Sequence, residues 1–245
     1  MLIKVINPNT TWSMTATIEQ CARAVVGPGT RVEAVSPSMG PASIESHYDE
    51  ALSVPGILDE IAKGEKDGVD GYVIACFGDP GMDAARELAS GPVVGIAEAA
   101  MHAASFLGRG FSVVTTLGRT VGRAQDLADH YGFARACRGI HACEIAVLDL
   151  ETDPDALKII TEACRTAVEV DGSDAVVLGC AGMADLCRHI SDEIGVPVVD
   201  GVSAATLFVQ SLVTLGLRTS RRGEFAQPLP KTYTGLLAGF TTGEE

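Results

Sequence analysis

The chain has 245 residues, of which 47% are hydrophobic, and carries a formal net charge of -14 at pH 7. This length and apolar content suffice to bury the core of one large domain or of two small lobes. The acidic balance argues against nucleic acid and anionic membranes as partners, because both attract basic protein surfaces.

Strand and helix patterns alternate along the whole chain. Short runs of β-branched residues without polar alternation are typical of strands buried on both faces. The predicted strands are Leu2–Ile6, Arg31–Ser36, Gly71–Ala75, Pro92–Ile96, Phe111–Thr115, His141–Val147, Ala175–Leu178 and Pro197–Val199. The predicted helices are Trp12–Val26, Asp49–Lys66, Asp83–Ala89, Ala97–Leu107, Arg119–Tyr131, Pro154–Val170, Ala184–Ile194 and Ser203–Leu215. Such alternation predicts an α/β fold with mostly parallel sheets flanked by helices.

Three strand ends recur in the same order at nearly one spacing. The segment Pro92–Ala100 aligns without a gap to Pro197–Ala205, an offset of 105 residues, and Cys76 and Cys180 lie 104 residues apart. Val5-Ile6-Asn7 and Val113-Val114-Thr115 correspond at an offset of 108 residues. We interpret these repeats as an internal duplication that produces two similar lobes related by a pseudo-twofold axis. The active site is expected in the cleft between the lobes.

The repeats also suggest where each lobe begins and ends. The first lobe is expected to comprise residues 1–97, completed by a returning segment at about 205–225. The second lobe is expected to comprise residues 98–204, and residues 226–245 are expected to form a C-terminal tail.

The N-terminal segment contains no basic region followed by an apolar stretch, so no signal peptide is expected. No apolar run reaches the length of a membrane span, and we expect a cytoplasmic protein without membrane contact. The seven cysteines include no Cys-x-x-Cys pair, which argues against a disulfide framework and a zinc site. The five histidines lack metal-ligand spacing as well, so no metal is expected.

Each predicted lobe carries a cysteine just after a buried strand, followed by x-Gly. Ligands of parallel sheets bind beyond the carboxyl ends of the strands. Two facing lobes would therefore line one cleft with the strand-end segments Asn7–Thr10, Cys76–Gly78, Thr115–Thr116 and Cys180–Gly182, and with Asp200. Asn9 and Asp200 have an alternative interpretation as turn or helix-capping residues.

Two thiols that face one small molecule can act as a pair of acid–base groups. One cysteine, as the thiolate, removes a proton from a stereocentre, and the other returns a proton to the opposite face. Nearby helix N-termini and the backbone N–H groups around Phe77-Gly78 and Ala181-Gly182 would stabilise the thiolate and an enolate. A single such cysteine would be interpreted as a core residue. Equivalent placement of Cys76 and Cys180 favours catalysis.

Several motifs together resemble the hydantoin and allantoin racemases of the aspartate/glutamate racemase superfamily. The resemblance extends to about Ser220 and rests on Ile-Asn-Pro-Asn-Thr (6–10), Pro-Ala-Ser-Ile-Glu (41–45), Val-Ile-Ala-Cys-Phe-Gly-Asp-Pro-Gly (73–81), Val-Leu-Gly-Cys-Ala-Gly-Met (177–183) and Pro-Val-Val-Asp-Gly-Val (197–202). It implies racemisation, without a cofactor, of 5-substituted hydantoins at C5, with allantoin as one member of the class. It also implies a homo-oligomer and a small-molecule partner from nitrogen metabolism.

The resemblance implies roles for particular residues. Cys76 and Cys180 are the expected catalytic pair. The expected substrate contacts are Asn9, Ser43, the backbone of Phe77 and Gly78, Thr115, Thr116, and the backbone of Ala181 and Gly182. Phe77 stands where amino-acid racemases of the superfamily have asparagine, which fits a neutral ring better than a charged amino acid.

Three alternatives remain open from the sequence. The first is another superfamily member, such as an amino-acid racemase or a decarboxylase. The second is a two-lobed small-molecule binding protein without chemistry. The third is a redox protein in which Cys76 and Cys180 form a reversible disulfide. The sequence also leaves open the choice between allantoin and hydantoins with an apolar side chain.

Overall fold

The computed structural model describes residues 1–241, in which strands and helices alternate as predicted. The strands are β1 (Leu2–Ile6), β2 (Arg31–Val35), β3 (Gly71–Ile74), β4 (Val93–Gly95), β5 (Phe111–Thr115), β6 (Cys137–Ala142), β7 (Ala175–Leu178) and β8 (Val198–Val199). The helices are α1 (Trp12–Val25), α2 (His47–Asp67), α3 (Met82–Leu88), α4 (Ile96–Ser105), α5 (Val121–His130), α6 (Ala156–Asp171), α7 (Cys187–Ile194) and α8 (Gly201–Thr214).

The strands form two four-stranded parallel sheets with the same internal order. The first sheet runs β2-β1-β3-β4 and the second runs β6-β5-β7-β8. Val5 is aligned with Val73 in the first sheet, and Val113 is aligned with Val177 in the second. The matching topology confirms the two-lobed α/β architecture that the sequence repeats predict.

Helices α4 and α8 form the layer between the two sheets. The helix α8 packs on β3 and β4 of the first sheet, α4 packs on β7 of the second, and the two helices pack on each other. Their buried side chains, including Ala100, Met101 and Val202, belong to a core that both sheets share. Small residues on α4 permit this close packing. Separate clusters lie on the outer faces, under α2 and α3 and under α6 and α7.

The helix α2 begins earlier than the sequence suggests and runs continuously through Pro55. The Ser46 side chain accepts a hydrogen bond from the Asp49 N–H at 3.2 Å, so Ser46 is the N-cap. This start places Ser46, His47 and Glu50 at the mouth of the cleft described below.

The strand predicted at His141–Val147 is wrong in its position, because the structure has β6 at Cys137–Ala142. Glu144 has a φ of 56°, a left-handed conformation that ends extended pairing. Cys143, Ile145 and Val147 are nevertheless buried. Their alternation therefore reflects packing of the chain that crosses from β6 toward the cleft, not a strand.

The helix predicted at Ala184–Ile194 begins three residues earlier, as a 3-10 turn at Ala181–Leu186 that continues into α7. Cys180 is the residue immediately before this turn.

We keep the division into residues 1–97 with 205–225, 98–204 and a tail from 226 as a proposal; residues 242–245 of that tail lie outside the described residues. Within residues 1–241, no helix is both long and apolar enough to cross a membrane.

Candidate active site

A cavity of about 170 Å³ lies where the carboxyl ends of the two sheets face each other. Parallel sheets place their ligand sites at this edge. Its lining includes Cys76 and Phe77 after β3 and Gly179, Cys180 and Ala181 after β7. The two cysteines, which the sequence separates by more than a hundred residues, therefore line one cavity.

Cys76 lies two residues after the end of β3. The residue between them, Ala75, is held by a hydrogen bond from its N–H to the Ile6 carbonyl at 2.8 Å. Its own carbonyl accepts a hydrogen bond from the Asp79 N–H at 3.0 Å, which closes a tight turn. Burial raises the pKa of the Cys76 thiol, and the nearby Gly78 N–H works against this rise. The charges of Glu50 and of a Cys180 thiolate raise it further.

Cys180 differs from Cys76 because a helical turn begins directly after it. Burial raises the pKa of Cys180 to about 11, while the Gly182 N–H lowers it. The free N–H groups at the start of a helical turn favour a nearby anion. Helix α3, by contrast, begins six residues after Cys76. Cys180 is accordingly the cavity thiol that ionises more readily.

Six of the eight predicted substrate contacts line the cavity: Asn9, Phe77, Gly78, Thr115, Thr116 and Ala181. Among them, Thr116 is buried, and within residues 1–241 its hydroxyl makes no hydrogen bond. The Thr115 hydroxyl is engaged by Thr120 at 2.9 Å. Thr116 is therefore the hydroxyl of this pair that is free to bind a ligand.

Asn9 combines the two roles that the sequence leaves open. Its Oδ1 accepts hydrogen bonds from the Asn7 side chain and the Thr11 N–H, both at 2.9 Å, which shapes the turn after β1. Its Nδ2 lies 3.3 Å from the Met14 sulfur, which is a weak acceptor. The amide group retains donor capacity next to the cavity.

Ser43 and Gly182 do not line the cavity, and neither does Asp200. Asp200 caps α8, since its carboxylate accepts hydrogen bonds from the N–H groups of Val202 and Ser203. Gly182 lies one residue behind the cavity wall, where its N–H faces Cys180.

Comparisons with known proteins identify the family. Residues 3–209 match the model of the Asp/Glu/Hydantoin racemase family. The chain belongs to this family. It is 49% identical to a hydantoin racemase of Pseudomonas sp. (strain NS671) over 98% of this chain and 97% of that protein.

Two solved structures resemble this racemase over nearly their whole length. The allantoin racemase from Klebsiella pneumoniae has a TM-score of 0.97 and 50% identity, covering 99% of this chain and all of that one. The allantoin racemase of Pseudomonas fluorescens has a TM-score of 0.92 and 41% identity, covering 96% of this chain and all of that one. The chain is thus an isomerase, which decides against the binding protein without chemistry and the redox dithiol protein.

The racemase cavity also contains residues that sequence reasoning missed or did not carry into the expected site. They lie on the α2 start and on the segment before and within α5: Ile44, Glu45, Ser46, His47, Glu50, Arg119, Thr120 and Arg123. Signals for some of them existed, since Ile44 and Glu45 belong to the Pro-Ala-Ser-Ile-Glu motif. No local pattern marks Glu50 or Arg123, which meet only when the lobes face each other.

Three hydrogen-bonded contacts join the lobes around the racemase cavity. The Glu45 carboxylate accepts a hydrogen bond from the Val147 N–H at 2.7 Å. The Tyr131 hydroxyl donates to the Asp79 carboxylate at 2.8 Å, and the Arg123 guanidinium donates to the Gly78 carbonyl. These contacts connect the two lobes on the sides of the cavity.

Asp79 is a buried carboxylate at the end of the turn that begins at Cys76, and it accepts the Tyr131 hydrogen bond. It also accepts hydrogen bonds from the N–H groups of Ala97 and Glu98 at the start of α4, at 3.1 and 3.0 Å. Burial raises its pKa to about 6, although these donors and Tyr131 oppose the rise. Its φ of 43° is unusual for a residue with a side chain. Asp79 therefore ties the turn to both lobes.

No group of three or more His, Cys, Asp or Glu side chains within residues 1–241 is arranged to hold a metal ion.

Proposed function

We propose that this racemase interconverts the enantiomers of 5-substituted hydantoins, with Cys76 and Cys180 as its acid–base pair and without a cofactor. The observation that carries the proposal is the presence of both cysteines, each at the end of an equivalent strand, in one cavity between the lobes. Support for the substrate class comes from the relatives, which are a hydantoin racemase and allantoin racemases at 41 to 50% identity.

In the proposed reaction, the thiolate of one cysteine removes the proton from C5 of the ring. The electron pair of the C–H bond moves into the adjacent ring carbonyl and forms an enolate. The thiol of the opposite cysteine then donates its proton to the other face of C5. The substrate leaves inverted, the two cysteines have exchanged protonation states, and proton exchange with solvent restores the starting form.

Donors near both cysteines can stabilise the negative charge of the thiolate and of the enolate that forms. The Gly78 and Gly182 N–H groups face the two sulfur atoms, and the Thr116 hydroxyl and the Asn9 amide lie along the cavity wall. Donors that are fixed before the reaction stabilise a developing oxyanion without reorganisation. We assign Asn9 and Thr116 to the ring carbonyls and the glycine N–H groups to the thiolates.

The size and polarity of the cavity favour a small polar group at C5. Its volume of about 170 Å³ is close to the roughly 150 Å³ of an engineered apolar cavity that holds a single benzene. A hydantoin ring occupies most of that space, and a benzyl substituent would need nearly as much again. The rim carries Glu45, His47 and Arg119, which suit the hydrogen-bonding ureido group of allantoin.

The test is a racemisation assay by circular dichroism with single enantiomers of allantoin, 5-isopropylhydantoin and 5-benzylhydantoin. We expect decay of the allantoin signal to zero and the slowest decay with the benzyl compound. Cys76→Ser and Cys180→Ser should each abolish racemisation, with Cys164→Ser as a matched control because Cys164 is a buried core thiol outside the cavity. Full activity in either cavity variant would refute the two-cysteine scheme. Faster decay of the benzyl compound would refute the preference for allantoin.

A further inference from the structure

Arg123 on α5 of the second lobe reaches across the cleft to the turn that follows Cys76. Its Nε and Nη2 both donate to the Gly78 carbonyl oxygen, at 3.1 and 2.6 Å. Its Nε also lies 3.4 Å from the Glu50 carboxylate of α2, in an ion pair whose two side chains are 31% and 18% exposed. One guanidinium therefore binds two separate segments of the opposite lobe.

Glu50 and Gly78 are themselves in close contact. A Cβ atom at position 78 would overlap the Glu50 carboxylate, so glycine is what allows this carboxylate to lie against the turn. The Gly78 N–H in turn faces the Cys76 sulfur. Arg123, Glu50, Gly78 and Cys76 thus form a continuous chain of contacts from the second lobe to the cavity thiol.

The charges along this chain have opposing effects on Cys76. The titratable groups that bear on Cys76 are Glu50, Cys180 and Asp79, and each raises its pKa. Burial raises the pKa of Glu50 itself, while Arg123 and His47 lower it and Asp49 raises it. Arg123 thus favours the ionised form of Glu50 and balances its charge next to the thiol.

The other cysteine has a different neighbour. Glu45 is the carboxylate that bears on Cys180, and its partner from the second lobe is the uncharged Val147 N–H at 2.7 Å. No arginine takes part in that contact. A loss of the Arg123 charge should therefore affect Cys76 much more than Cys180.

We propose that Arg123 is a positioning residue, which fixes the Cys76–Gly78 turn against the second lobe and offsets the Glu50 charge so that the Cys76 thiolate can form. The link to racemisation rests on the proposed function, whereas the effect on Cys76 does not. Arg123 acts through Gly78 and Glu50, and no contact with substrate is assigned to it.

The experiment measures the alkylation rate of one cavity cysteine by iodoacetamide between pH 7 and 9, with peptide mass spectrometry to assign the site. Alkylation follows the thiolate fraction and needs no turnover. In a Cys180→Ser background, Arg123→Gln should slow alkylation of Cys76 about tenfold at each pH, equivalent to a pKa rise of about one unit. In a Cys76→Ser background, the same change should alter alkylation of Cys180 less than about twofold.

Arg86→Gln is the matched control. Arg86 is also half-buried, donates to a backbone carbonyl and pairs with a glutamate, Glu98, at 2.6 Å, but it lies outside the cavity. It should leave alkylation of Cys76 unchanged. If Arg123→Gln does not fold, Glu50→Gln alone tests the same charge effect and should speed alkylation of Cys76.

A purely structural role for Arg123 predicts a different outcome. Loss of an interlobe contact alone would open the cleft and speed alkylation of both cysteines, and that result would overturn the proposal. Glu50→Gln added to Arg123→Gln should restore most of the Cys76 rate, and failure to do so would also overturn it. Absence of racemisation in the parent protein, with the alkylation pattern intact, would contradict only the proposed function.

Discussion

The pH dependence of racemisation between pH 6 and 8 tests whether burial sets the pKa values of the two cavity thiols. Burial raises the pKa of Cys180 to about 11, and the neighbouring Cys143 and Glu45 act in the same direction. Burial raises the pKa of Cys76 more than that of Cys180, so Cys180 is expected to be the first thiol to ionise in the free enzyme. At pH 8 only about one molecule in a thousand then has the reactive form, and at pH 6 about one in a hundred thousand.

Because a raised pKa leaves the base protonated, activity should increase as pH rises toward that value. The expected increase in kcat/KM is about tenfold per pH unit, or about a hundredfold from pH 6 to pH 8. In free-energy terms, forming the thiolate at pH 8 requires about 4 kcal/mol. This increase belongs to the free enzyme, so it is read at substrate concentrations below KM.

The assay follows the circular dichroism of one allantoin enantiomer in a single mixed buffer at half-unit steps of pH. A blank without protein is subtracted at every pH, since hydroxide also removes the C5 proton. The Cys180→Ser variant supplies the zero-activity baseline, and far-ultraviolet spectra verify that the fold persists. A profile that is level between pH 7 and 8 would refute the reasoning, because it would mean that the thiolate already exists despite burial.

Two further predictions concern single residues around the cavity. In D₂O, Cys180→Ser should exchange the C5 proton of one enantiomer only and Cys76→Ser that of the other, as followed by proton NMR; exchange of both enantiomers by one variant would contradict opposite-face bases. Burial raises the pKa of Asp79 from 3.8 to about 6, so its ionised form destabilises the native state. Relative to Asp79→Asn, the parent should gain about 2 kcal/mol of unfolding free energy in urea titrations as pH falls from 7.5 to 4. An unchanged difference across that range would show that Asp79 does not titrate there.

Most of the residues predicted for the site line one cavity, because the sequence patterns that mark them are local. A buried strand that ends in Cys-x-Gly can be recognised from a few residues, and parallel pairing then places its end at the ligand edge of a sheet. The second copy, ending at Cys180, is what favours a catalytic interpretation of Cys76 over that of a core residue. Ser43 shows that a local motif does not identify which of its residues faces the cavity. Its motif was recognised, but its neighbours Glu45 and Ser46 line the cavity instead.

The wrong position predicted for β6 shows where a local pattern is insufficient to identify a strand. Residues 143–147 alternate as a strand would, because alternate side chains pack into the core. The backbone leaves the sheet at Glu144 and carries Val147 to the cleft, where its N–H meets Glu45 of the other lobe. Burial pattern reports which side chains face the core, and hydrogen-bond partners decide whether the segment is a strand.

The sequence by itself determined the parallel α/β lobes, their duplication and the two cysteines at equivalent strand ends, because periodicity and repeated motifs encode them along the chain. Only the tertiary structure decided how the lobes meet. Where the lobes meet, Arg123 of α5 lies within reach of Gly78 and Glu50, and both thiols lie in a cavity where desolvation dominates their pKa values. Desolvation and charge compensation depend on distances between residues far apart in sequence, which no local pattern contains.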